Sequence, residues 1–173
     1  MNNLIKRYFF HKSSDTIKSG NLNITHIKKN KIRDLCPIYI RYRQSANINP
    51  SFSDVKRYLK YEFSNKDNRI LVASQDGKIV GFLHYCIEHS TLRPADRITL
   101  KCMFVDSEYR NQGIAKKLIS YLQEHLTVTE LRVKARRTNT ISSKMYINSG
   151  FYEDTEYMHL VYRPNNTSYN IDK

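Results

Sequence analysis

The residues best suited to chemistry lie in one run: Met103-Phe104-Val105-Asp106-Ser107-Glu108-Tyr109-Arg110-Asn111-Gln112-Gly113-Ile114-Ala115. Strand-like residues end at Val105, a short polar loop follows, and helical periodicity starts near Gly113. A helix start offers N–H groups with no intrahelical acceptor, together with the positive end of the helix dipole, and so suits a phosphate. Gly113 lets a ligand approach the backbone with no Cβ in the way. Ala115 keeps the next point of approach small, and Arg110 adds a fixed positive charge. Together these residues could hold a pyrophosphate. An ordinary strand–turn–helix connection can have a similar composition, so the run takes its weight from its setting, where a strand feeds a strongly periodic helix.

The elements that must position this run can be read on either side of it. Residues 22–27 alternate apolar and polar, the period of a half-buried strand. Ile32, Leu35, Ile38 and Tyr39 recur at helical spacing, and Pro37 predicts a break or a late start there. Ser53 reads as an N-cap for a second helix whose stripe is Val55, Tyr58, Leu59, Glu62 and Phe63. Ile70–Ser74, the turn Asp76-Gly77 and Lys78–Glu88 read as a hairpin. Arg97–Val105 is a further strand. Gly113–Leu126 is an amphipathic helix, with Ile114, Ala115, Leu118, Ile119, Leu122 and Leu126 on one face. Leu131–Ala135 is a short strand, Ile141–Ser149 a short helix stopped by Gly150, and Glu156–Arg163 a last strand. This order gives an α/β (α+β) fold with a mixed sheet: antiparallel at the hairpins, parallel and right-handed at strand–helix–strand units.

On these residues the chain resembles the GNAT family of N-acetyltransferases, over about residues 22–163. The 110–115 run is similar to that family's cofactor signature. Downstream, Leu131–Ala135, Asn139, Tyr146 seven residues later and Gly150-Phe151 match the family's spacing. Asp76-Gly77 followed by Ile79-Val80-Gly81-Phe82 resembles the strands that precede the signature. The resemblance implies a central six- or seven-stranded mixed sheet flanked by about four helices. It also implies acetyl-CoA as cosubstrate, with pyrophosphate on the amides of Arg110, Asn111, Gln112, Gly113, Ile114 and Ala115. Pantetheine would lie between two splayed strands, against the backbone of Phe104 and Val105. A seven-residue step is close to two helical turns, so Asn139 and Tyr146 would face one groove. The family assigns Tyr146 as the acid that helps the thiolate leave. A backbone N–H near Phe104 or Val105 would stabilise the oxyanion.

The general base is missing from its usual place. Many members of the family carry a Glu on the strand before the signature, whereas here that strand reads Arg97-Ile98-Thr99-Leu100-Lys101-Cys102-Met103-Phe104-Val105. Thr99 and Lys101 stand where a carboxylate is sought. His84 and Glu88, on the preceding strand, are alternatives, and a remote or water-mediated base is another.

The chain has 173 residues, 40% of them apolar, which suits one domain with a real core. Residues 1–20 read as a basic extension, 21–165 as the acetyltransferase domain and 166–173 as a polar tail. No run is apolar enough for a membrane span or a signal peptide, and the three cysteines make no CxxC pair. The expectation is a cytoplasmic enzyme without a metal, monomeric or homodimeric, acting on the amine of a small molecule or of a protein or peptide. Net charge is +13, and residues 1–43 hold ten Lys or Arg against two acids. That balance favours anionic partners and keeps open an RNA-associated acyltransferase acting on aminoacyl-tRNA. Residues 139–154 also resemble aminoglycoside 6'-N-acetyltransferases, although Lys101 argues against a strongly cationic acceptor. A non-catalytic CoA-binding protein is the remaining alternative.

Overall fold

The computed structural model describes residues 17–19, 21–89, 96–126, 129–156, 158, 160 and 162. These form a six-stranded mixed sheet, with strands in sequential order, and four α-helices. The strands are β1 Ile17–Ser19, β2 Leu22–His26, β3 Asn68–Gln75, β4 Lys78–Glu88, β5 Arg97–Val105 and β6 Glu130–Val133. The helices are α1 Ile32–Gln44, α2 Phe52–Glu62, α3 Ile114–His125 and α4 Thr140–Ile147. All neighbouring strands are antiparallel except β5 and β6, which are parallel across the α3 crossover.

The sheet is covered on both faces. Ile70, Val72 and Phe82 face α1 and α2 and pack with Leu35, Ile38, Tyr39, Val55 and Leu59. Leu71, Ala73, Leu83, Tyr85, Ile98 and Leu100 face the other way, onto Ile114, Leu118, Ile119 and Leu122 of α3. Gly81 permits one close approach: a Cβ there would lie 3.2 Å from the Phe104 carbonyl and 3.4 Å from Ile114. A bare glycine thus lets the start of α3 settle against β4 and β5.

Several elements differ from the sequence reading. Pro37 lies inside α1 and does not break it. A proline at an interior position costs about 3 kcal/mol, and burying one Leu or Ile side chain returns roughly 1.5–3 kcal/mol. The α1 helix buries Ile32, Leu35, Cys36, Ile38 and Tyr39, so packing wins. Pro37 itself is on the exposed face, beside exposed Arg33, whose carbonyl loses its partner there. The second helix is capped at Ser51, two residues ahead of Ser53. The Ser51 hydroxyl accepts from Asp54 N–H at 3.1 Å, and the Asp54 carboxylate accepts from Ser51 N–H at 3.4 Å. The sheet gains a strand at Ile17–Ser19, inside the stretch read as an extension. Of the strand expected at Glu156–Arg163, residues 156, 158, 160 and 162 are not in a strand and the others lie outside the described residues. So does the polar tail from residue 166. Among the described residues, no helix is long and apolar enough to cross a membrane.

His26, on β2, donates to or accepts from the Tyr85 hydroxyl at 2.7 Å and packs edge-on against Tyr121. Burial lowers its pKa to about 4, and the charges of Arg69 and His125 push the same way. The folded state therefore resists protonation that the unfolded chain accepts below about 6.5. Stability is full above pH 6.5 and falls as pH drops towards 4. Chemical denaturation at pH 7 and pH 4.5 is expected to show this loss, with a smaller pH difference in His26→Gln. An identical pH dependence in the variant would contradict it.

Candidate active site

The site is organised by one irregularity in β5. Opposite β4 the register runs Phe82↔Phe104, Leu83↔Met103 and His84↔Cys102, then Tyr85↔Leu100, which leaves Lys101 as an extra residue. Such a bulge reverses which face later side chains occupy. Ile98 and Leu100 face α3, whereas Cys102 and Phe104 face α1 and α2. The parallel ladder to β6 ends at the same place, with Leu100↔Val133 as its last pair. Lys101–Val105 keeps β4 on one side, but among the described residues no strand continues along its other edge, where β6 has ended.

The open edge leads into the turn before α3. Asp106, buried at the end of β5, is tied down by an ion pair to Arg41 at 3.0 Å and by its N–H donating to the Val80 carbonyl at 3.0 Å. Asn111 and Gly113 both have positive φ, 62° and 74°. Gly113 caps α3 without a side-chain acceptor. A Cβ built on it would meet nothing within 4 Å, so the space in front of the helix start is open. The first turn of α3 holds no acid, and Lys116 and Lys117 stand there against the positive end of the dipole. Backbone turned in this way, with cations around it, is electrostatically favourable to an anion. The Arg110 side chain folds back onto β5, with Nε donating to the Val105 carbonyl at 3.1 Å and the guanidinium 5.7 Å from the Phe104 ring centroid. Gln112 likewise turns back, donating to the Glu108 carbonyl at 3.4 Å. Ile114 is buried under the helix start, with Ala115 half-buried beside it.

Asn139 and Tyr146 lie at opposite ends of α4. Asn139 is its N-cap, and Oδ1 accepts from Ser142 N–H at 3.1 Å. The half-buried Tyr146 ring meets Phe151 edge-on at 5.5 Å. Burial raises the Tyr146 pKa to about 12, with a further contribution from Cys102. The phenol and the second half of β5 are thus electrostatic neighbours.

On the other face of the bulge lies a cavity of about 290 Å³. Its walls include Tyr39, Tyr42, Arg43, Tyr58, His84, Lys101 and Cys102. Behind it is a carboxylate that the sequence reading assigned only to a helix stripe. Glu62, on α2, is 6% exposed. Its Oε2 accepts from Lys101 Nζ at 2.7 Å and from Asn68 Nδ2 at 2.7 Å, and lies 3.3 Å from His84 Nε2. Burial opposes charge on Lys101, but the hydrogen bond and charge of Glu62 outweigh it and raise its pKa. For His84 burial wins over Glu62, with Lys101 assisting, and lowers its pKa to about 4. His84 is therefore neutral at pH 7, and neither of its buried ring nitrogens has a hydrogen-bond partner. Glu88 is exposed at the far end of β4, opposite Arg97, and does not reach the cavity. The signal for Glu62 was a carboxylate on the apolar stripe of an amphipathic helix, where a charge requires a partner.

The acetyltransferase (GNAT) domain family matches residues 66–154, about half of the chain. The chain belongs to the GNAT acetyltransferase family. It is an acyltransferase, and enzymes of this family use acetyl-CoA. The chain is also similar to the uncharacterised N-acetyltransferase YhfO of Bacillus subtilis, 22% identical over 80% of this chain and 95% of that one. An aminoglycoside N(6')-acetyltransferase type 1 of Salmonella typhimurium is 35% identical over 49% of this chain and 62% of its own. Among solved structures, an integron cassette protein from V. cholerae shares the fold with a TM-score of 0.76, 22% identity and coverage of 85% and 95%. AAC(6')-Iy, in complex with the bisubstrate analogue CoA-S-monomethyl-acetylneamine, superposes with a TM-score of 0.66, 23% identity and coverage of 83% and 99%. In this GNAT chain the bulge, the open strand edge and the helix start follow one another within residues 101–115.

The Glu62–Lys101 pair gives a direct test. Removing one partner leaves a buried charge uncompensated, which costs several kcal/mol in a fully buried pair. Lys101 is about a third exposed, so Lys101→Met is expected to destabilise by about 2 kcal/mol. The double variant Glu62→Gln/Lys101→Met should recover most of that in urea denaturation. Additive losses would contradict the coupling.

Proposed function

We propose that the chain transfers an acetyl group from acetyl-CoA to a primary amine, which attacks the thioester directly while both substrates are bound. The observation that carries this reading is the edge of Lys101–Val105 left open where β6 ends, running straight into a helix start with no side-chain cap and no acid. A pantetheine arm carries amide groups that can pair with a free strand edge, here the backbone of Phe104 and Val105. Its diphosphate suits the amides from Arg110 through Asn111, Gln112, Gly113 and Ile114 to Ala115. In this reading Asn139, at the start of α4, also binds the cofactor. The open space in front of Gly113, which a side chain would enter, supports this reading.

In this reading the amine nitrogen bonds to the thioester carbon and a backbone N–H of β5 stabilises the oxyanion. Collapse then breaks the C–S bond. Tyr146, held at about 12, stays protonated across the neutral range, so its hydroxyl is always available to the sulfur. Full proton transfer to a thiolate whose thiol has a pKa of about 8.5 is uphill. The phenol therefore acts chiefly by hydrogen bonding to the developing thiolate. The proton that the sulfur finally gains balances the one that the nitrogen loses. Neutral His84 lines the cavity on the side where the amine would lie, and Glu62, 3.3 Å from its Nε2, favours the charged ring.

A second reading, aminoglycoside acetylation, has support in the names of relatives, while the pairing of Glu62 with Lys101 stands against it. The acceptor is to be found by an acetyl-CoA turnover screen across polyamines, amino acids, aminoglycosides, peptides and aminoacyl-tRNA. With that acceptor, Tyr146→Phe is expected to lower kcat by about 10²-fold or more and leave acetyl-CoA affinity within about twofold. Unchanged kcat would remove Tyr146 from the chemistry. At Gly113 a substitution must tolerate positive φ, and Asn does so better than other side chains. Gly113→Asn is expected to weaken acetyl-CoA binding at least about tenfold by calorimetry, because even a small side chain fills the open space. Unchanged affinity would overturn the cradle.

A further inference from the structure

We infer that the acceptor carries an anionic group, a carboxylate or a phosphate, in addition to its amine and an apolar or aromatic body. This deepens the acetyl-transfer reading of the same site and rests on it. The cavity beside the Lys101 bulge is lined by three tyrosines, Tyr39, Tyr42 and Tyr58, which suit a flat apolar body. Its charges are unequally matched. Lys101 is neutralised by Glu62 at 2.7 Å, and His84 is uncharged. Arg43 is different: it is half-buried, and no carboxylate lies within ion-pairing distance of it among the described residues. Its guanidinium sits over Tyr58 at 4.8 Å and near Tyr39 at 5.8 Å from the ring centroids.

Set over two tyrosine rings, the guanidinium carries an N–H fork that suits a carboxylate or a phosphate. Arg43 and Tyr58 also form the wall shared with a neighbouring cavity of about 420 Å³. The acid in that cavity, Asp54, is already paired with Arg57 and with Ser51. Among the described residues around both cavities, each carboxylate therefore has its partner and Arg43 does not. A polycationic acceptor would meet Arg43 with no free acid to hold it. An anionic acceptor would supply the missing partner, with its amine on the His84 side of the cavity.

The test compares matched amines on the acetyl-CoA-binding protein, by calorimetry on the CoA-saturated chain and by initial rate. The pairs are tyrosine and tyramine, glycyl-phenylalanine and its amide, and O-phosphoethanolamine and ethanolamine, with neamine as the polycation. In at least one pair the anion-bearing member is expected to be favoured about tenfold or more, the scale of a charge-assisted hydrogen bond. Which pair responds distinguishes carboxylate from phosphate. Arg43→Gln is expected to erase that preference, and Arg43→Lys to keep part of it, because a point charge remains without the fork. Equal members in every pair, a preference for neamine, or a preference that survives Arg43→Gln would each overturn the inference while acetyl-CoA still binds. Loss of the parent reading is seen separately, as failure of the wild-type chain to bind acetyl-CoA, and takes this inference with it.

Discussion

A single extra residue in β5 decides how the molecule is put together around its site. Without Lys101 as a bulge, alternation would carry Cys102 and Phe104 onto the face of Ile98 and Leu100. With it, the strand serves the α3 core up to Leu100 and then turns its even-numbered side chains towards α1 and α2. The ladder to β6 stops at the same residue. An unpaired strand edge is ordinarily a liability. Here it is short, with a cavity on one face of the sheet and the α3 core, against which Tyr146 packs, on the other.

The bulge has an electrostatic consequence. It aims a lysine at the α2 helix, where a buried lysine needs a counter-charge. Glu62 provides it, and Asn68 completes the set on the same oxygen. The carboxylate that relatives are expected to carry on the strand is thus replaced by a lysine on the strand and a carboxylate behind it. His84 is left between them, uncharged, with unpaired nitrogens. Among the described residues lining the cavity, Arg43 then has no carboxylate within ion-pairing distance.

Much of this was legible in the sequence. The Asp76-Gly77 turn, the β5 limits at Arg97 and Val105, and the start of α3 at Ile114 follow from turn chemistry and periodicity, which are local. The Arg110–Ala115 run stands out because the turn before α3 needs positive φ at Asn111 and Gly113, which few residue types adopt readily. Three features could not be read so easily. Pro37 is tolerated because tertiary burial on one face of α1 exceeds its local cost. The bulge at Lys101 leaves no mark in composition, since it is defined by register against β4. The role of Glu62 depends on Lys101, thirty-nine residues away, and only the fold brings them together. The stripe position of Glu62 was visible, but its partner was not.

The most direct test of the open edge is amide hydrogen exchange of the wild-type chain with and without acetyl-CoA. Protection is expected to rise at amides within Lys101–Val105 and within Asn111–Lys116, the two backbone segments that would bind pantetheine and diphosphate. β2 and β3, distant from the edge, should change little. Protection confined to other segments, or no change on saturation with acetyl-CoA, would contradict a cofactor bound along β5 and at the start of α3.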